Sequence, residues 1–96
     1  MSAPTVTVYS KPACVACMAT KRKLTKLEIP HTVIDVTEDP EAYAYVKSLG
    51  YSSMPVVVAE LPDGTRYWSD FRDELLTDLG RELDAIAYLE ADEATP

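Results

Sequence analysis

The sequence predicts an α/β domain in the order βαβαββα, with a mixed four-stranded sheet flanked by helices. Three observations carry this: apolar spacing that switches between strand-like runs and helical periods, a helix of crossover length between the first two runs, and a Pro62-Asp63-Gly64 turn joining the last two. The 96 residues suit one domain, with about 60–65% of the unfolded surface buried. A hydrophobic share of 47% against 26% charged is ordinary for a globular chain, so no metal or disulfide staple is needed for folding.

Thr5-Val6-Thr7-Val8-Tyr9 is a β-branched and aromatic run closed by Ser10-Lys11-Pro12, which reads as a buried strand feeding a loop. From Val15 to Leu27 the period becomes helical. Cys17, Leu24 and Leu27 form the apolar side, and Lys21, Arg22, Lys23 and Lys26 favour the C-terminal half. After a Glu28-Ile29-Pro30 turn, His31-Thr32-Val33-Ile34-Asp35-Val36 reads as a second strand, parallel to the first because a helical crossover joins them.

Asp39 as N-cap and Pro40 at N1 start a helix carrying Ala42, Val46 and Leu49, and Gly50 suits a left-handed end. Val56-Val57-Val58-Ala59 is the third strand, and Thr65-Arg66-Tyr67-Trp68 returns antiparallel as the fourth. Ser69 or Asp70 is expected to cap a last helix on which Phe71, Leu75, Leu79, Leu83, Ile86 and Leu89 form the apolar stripe. Residues 1–96 thus form one domain: a core of about 5–79, a helical extension over 80–90 and a flexible acidic tail over 91–96. Tyr43, Tyr45 and Tyr51 are assigned to packing.

Sixteen acidic residues against nine basic ones leave a formal charge of −7, which excludes a nucleic-acid footprint and disfavours anionic membranes. Met1-Ser2-Ala3-Pro4 has no basic stretch and no apolar core, and no segment approaches the length of a membrane span, so a cytoplasmic protein is expected. A monomer is the expected state.

Cys14 and Cys17 stand where the first strand hands over to the first helix. A thiol there meets unpaired N–H groups and the positive end of the helix dipole, which favours the thiolate, the attacking species in thiol–disulfide exchange. Cys14 is therefore the candidate nucleophile, with Lys11 as a nearby positive charge, and Cys17, one turn later, is the candidate resolving thiol. Positions three apart on a helix are near enough to close a disulfide.

A Cys-x-x-Cys pair alone leaves redox chemistry, half of a metal site and buried structural thiols open. Four zinc ligands are lacking within one chain, since only His31 joins the cysteines, so no metal is expected. His31 is more readily a strand residue than a ligand. Met54-Pro55, ahead of the third strand, admits two readings: a cis proline exposing backbone for an extended substrate, or an ordinary strand-initiating proline.

Taken together, Val6-Thr7-Val8-Tyr9-Ser10-Lys11-Pro12-Ala13-Cys14, Cys17 and Met54-Pro55-Val56-Val57 resemble a glutaredoxin. Cys17-Met18-Ala19-Thr20-Lys21, Ser48-Leu49-Gly50-Tyr51 and Trp68-Ser69-Asp70-Phe71-Arg72 narrow that resemblance to the NrdH-redoxins, over about residues 5–79. The resemblance implies the thioredoxin/glutaredoxin fold, a cis Pro55 and a redox-active Cys14–Cys17 disulfide with no other cofactor. It also implies electrons taken from thioredoxin reductase and passed to the large subunit of class Ib ribonucleotide reductase or another disulfide protein. Lys11 and Pro12 support the cysteines in this scheme, and Met54, Pro55, Trp68, Ser69, Phe71 and Arg72 are candidate partner-binding residues. Trp68 and Phe71 are equally consistent with core packing.

Ala16 stands where these proteins usually have Gln, and Asp70 and Asp73 replace their usual Gly and Pro. Trp68-Ser69-Asp70-Phe71 also offers bulky side chains where glutaredoxins bring a Gly-Gly backbone close to glutathione, so weak glutathione binding is expected. The rival functions are a glutaredoxin or mycoredoxin dependent on glutathione or another small thiol, a non-catalytic metal- or Fe–S-carrying module using Cys14 across a dimer, and a binding domain with idle cysteines.

Overall fold

A computed structural model of the chain describes residues 3–93. The elements follow the predicted order: β1 (Thr5–Ser10), α1 (Val15–Lys26), β2 (Thr32–Asp35), α2 (Pro40–Ser48), β3 (Val56–Leu61), β4 (Gly64–Ser69) and α3 (Asp73–Glu93). The sheet order is β2-β1-β3-β4. β1 pairs parallel with β2, and β3 pairs antiparallel with both β1 and β4.

Every residue of β3 but Glu60 is buried, because this strand has a neighbour on each edge and a packed layer on each face. Its alternation divides the core in two. Val57, Ala59 and Leu61 join Val6, Val8, Trp68, Leu24, Leu76 and Leu79 on the side of α1 and α3. Val56 and Val58 join Ala42 and Val46 of α2, together with Cys14, Cys17, Val36 and Met54, on the other. Both cysteines are therefore seated in packed apolar surroundings rather than on a free loop.

The predicted cap of α2 is present, with Asp39 Oδ1 accepting the Ala42 N–H at 3.0 Å, and Gly50 ends the turn beyond this helix at φ +95°. Three expectations shift. His31 lies before β2 rather than inside it, and its Nδ1 sits 2.8 Å from the Ile29 carbonyl, which holds the ring in the turn. The last helix starts at Asp73 and not directly after Ser69 or Asp70, because Asp70 takes φ +73° and accepts the Phe71 N–H on its own carboxylate, turning the chain first. Phe71 consequently falls in a loop, and the buried stripe begins at Leu76 instead of Leu75.

α3 is also longer than expected. It continues through Glu93 into the segment read as a tail, whose residues 94–96 lie outside those described. Leu83 and Ile86 pack against the core, while Tyr88 and Leu89 are exposed.

Gly80 faces the end of α1 and the turn after it. A Cβ added there would meet Ile29 Cδ1 at 3.6 Å and Leu27 Cδ1 at 3.7 Å, which is ordinary contact. Gly80→Ala is thus expected to stabilise the protein by about 0.5–1 kcal/mol, since alanine loses less backbone entropy in a helix. Thermal unfolding checks this, and a lower midpoint would show that α3 has no room for the methyl group.

Candidate active site

Lys11, Pro12 and Ala13 form the exposed loop between β1 and α1, and Ala13 adopts φ +53° just before the first cysteine. Cys14 is the N-cap residue of α1, extended at φ −118° and ψ 106°. Its carbonyl accepts the Met18 N–H at 3.1 Å, and its Sγ receives the Cys17 N–H, also at 3.1 Å. One of the helix's unpaired N–H groups is therefore aimed at the sulfur, and in the reduced protein that bond favours a thiolate over a thiol.

Cys14 and Cys17 are joined in a disulfide with their Cα atoms 5.2 Å apart. Cys14 keeps 8% of its surface and Cys17 only 1%. Cys14 is thus the sulfur nearer the surface, and Cys17 lies behind it. Around them Val15 and Met18 are exposed on the first turn of α1, an apolar surround that sequence periodicity does not single out.

Met54-Pro55 is a cis peptide bond. Met54 and Pro55 are both buried, and the Met54 carbonyl oxygen lies 3.6 Å from Cys14 Sγ. Met54 also lines a groove of about 390 Å³ with Lys11, Val36, Thr37, Tyr43 and Ser52. Lys11 is thus brought to the approach to the site. The rim of this groove is fixed by Asp35, which accepts the Thr37 N–H at 2.8 Å and the Thr37 hydroxyl at 2.6 Å. Those bonds hold the Asp35 carboxyl below its ordinary pKa. Behind the cysteines, burial first and the neighbouring Tyr45 next push the Tyr9 hydroxyl upward, so the ring there stays neutral.

The Trp68 segment divides. Trp68 retains 8% exposure within the α1–α3 core, and its Nε1 has no hydrogen-bond partner among the described residues, so packing is the role its position supports. Ser69 pairs with Val56, Arg72 donates from Nε to the Ser69 carbonyl at 3.2 Å, and Phe71 is exposed in the loop. Asp70, not singled out as a site residue from the sequence, donates its N–H to the Pro55 carbonyl at 2.8 Å. No local pattern announces that contact, because it joins residues fifteen positions apart.

Comparison with known proteins agrees with this geometry. Residues 6–60 match the glutaredoxin family model. The chain is 34% identical over 74 residues to the glutaredoxin-like protein NrdH of Escherichia coli K12, an alignment covering 77% of this chain and 86% of that one. It is 44% identical to the gene 56 protein of Mycobacterium phage L5 over 74% of this chain and 71% of the relative. Among solved structures, the Escherichia coli NrdH-redoxin, described as a glutaredoxin-like protein with a thioredoxin-like activity profile, superposes with a TM-score of 0.70 at 32% identity. It covers 78% of this chain and 93% of its own. With a Cys-x-x-Cys pair closed at a helix N-terminus on a mixed four-stranded sheet, the chain belongs to the glutaredoxin family and, within it, to the NrdH-type thiol–disulfide oxidoreductases.

Proposed function

We propose that this protein is a cytoplasmic, monomeric dithiol electron carrier that takes electrons from thioredoxin reductase and reduces protein disulfides, with the large subunit of class Ib ribonucleotide reductase as its principal acceptor. The observation that carries the reading is the unequal pair at the start of α1. Cys14 is the more accessible, with an N–H aimed at its sulfur, and Cys17 is closed off behind it.

The Cys14 thiolate attacks one sulfur of a target disulfide, and the other target sulfur leaves as a thiolate. Cys17 then loses its proton and attacks Cys14 Sγ, which forms the Cys14–Cys17 disulfide and releases the second target thiolate. Two electrons pass to the target, and a reductase returns them by the reverse sequence. The disulfide is the whole redox apparatus, with no metal or other cofactor. An extended target segment docks along the Met54–Pro55 backbone and the groove beside it, with Lys11 at the edge.

The thioredoxin-like activity profile of the Escherichia coli relative supports thioredoxin reductase as the donor. So does the exposed Phe71, a bulky side chain in a segment where close approach to glutathione would need bare backbone. No helix among the described residues is long and apolar enough to cross a membrane. NADPH consumption with a disulfide protein as acceptor tests the donor. Turnover with thioredoxin reductase, and little with glutathione plus glutathione reductase, is expected. Turnover only with glutathione, or only with another small thiol, would overturn the assignment.

A further inference from the structure

We infer that Asp70 is a positioning residue for the exchange reaction: its left-handed turn holds its backbone N–H on the Pro55 carbonyl and so fixes the Met54–Pro55 segment beside the attacking sulfur. The regular β3–β4 ladder ends at Val56 opposite Ser69. One further bond continues it, from the Asp70 N–H to the Pro55 carbonyl at 2.8 Å. That bond fastens the residue next to Met54, whose own carbonyl oxygen lies 3.6 Å from Cys14 Sγ.

The chain must leave this bond and turn at once toward α3, and it does so with Asp70 at φ +73°. A non-glycine residue seldom occupies that region, and aspartate manages it through a local hydrogen bond, here from the Phe71 N–H to Oδ1 at 2.9 Å. Arg72 Nε on the Ser69 carbonyl closes the same loop from the other side. A β-branched side chain at 70 rejects this conformation, so the turn is completed only by moving the 69–70 peptide, and with it the N–H that holds Pro55. The backbone of residue 70 is what matters on this account, and the carboxylate only makes that backbone shape tolerable.

This inference rests on the proposed function, because it needs a protein substrate that uses the Met54–Pro55 backbone. Dithiothreitol-driven reduction of insulin, beside reaction of the reduced protein with 5,5′-dithiobis(2-nitrobenzoate), separates the two. Wild-type protein with no insulin activity above dithiothreitol alone would defeat the functional reading, whatever residue 70 does. With an active wild type, Asp70→Val is expected to raise KM for insulin roughly fivefold with little change in kcat, the effect of losing about one hydrogen bond's worth of alignment. The small aryl disulfide, which needs no backbone docking, should react at the wild-type rate.

Asp70→Gly and Asp70→Asn, which both accept the left-handed region, should match wild type with both substrates. Asp70→Ala gives an intermediate KM and serves if the valine variant does not fold, with circular dichroism as the check. Unchanged KM in the folded Val or Ala variants would overturn the inference. So would loss of insulin reduction in Asp70→Asn and Asp70→Gly alike, or a parallel fall with the small disulfide.

Discussion

Cys14→Ser is expected to lower thiol–disulfide exchange more than about a thousandfold, to the background of the assay, as removal of a reacting nucleophile generally does. A serine hydroxyl is not ionised near neutral pH, so the N–H of Cys17 and the positive end of α1 would have no anion to stabilise. Cys17 cannot substitute, being 1% exposed and packed on the α2 side of the sheet. Cys17→Ser has a different signature: the first attack proceeds, and the reaction stops at the mixed disulfide for want of a resolving thiol. Insulin reduction and intact-mass analysis distinguish the two. Full activity in Cys14→Ser would remove the assignment altogether.

The second large effect concerns stability. Leu76→Ala should destabilise the protein by about 3–4 kcal/mol, because a fully buried leucine loses its transfer energy and leaves a cavity among packed neighbours. For a domain of this size that lowers the thermal midpoint by on the order of 20 °C. Leu75→Ala, one position away and 41% exposed, should cost less than about 1 kcal/mol. Equal losses in the two variants would mean that α3 faces the sheet differently. Comparing the midpoints of the two single variants decides it.

This adjacent pair also marks where the sequence was legible and where it was not. Leu75, Leu79 and Leu83 follow a helical period as well as Leu76, Leu79 and Leu83 do, so spacing alone does not choose the buried face. The choice is made by where α3 begins. Ser69 and Asp70 are both good capping residues by type, yet Asp70 is committed to a contact with Pro55, fifteen residues earlier in the chain. A tertiary hydrogen bond thus overrides a local signal. The same holds for His31, which a β-branched neighbourhood places in a strand and which the Ile29 carbonyl keeps out of it.

The chemistry was more legible than the packing, since its signal is local. Cys14, Cys17 and the start of α1 all fall within four residues, and the cap geometry follows from backbone rules that hold in any helix. The parallel pairing of β1 and β2 was likewise implied by the crossover between them. Trp68 was open between packing and docking because an aromatic residue on an edge strand suits both, and only its burial among Leu76, Leu79 and Val57 favours packing.

Which cysteine attacks and which resolves is read by mixing reduced Cys17→Ser protein with a disulfide-containing target, quenching with acid and mapping the adduct by non-reducing mass spectrometry. A one-to-one mixed disulfide on Cys14, absent when the same mixture is made with Cys14→Ser, is the result predicted. An adduct that forms through Cys17 in Cys14→Ser at a comparable rate, or no adduct in either variant while the wild type turns over, would rule out Cys14 as the attacking thiol.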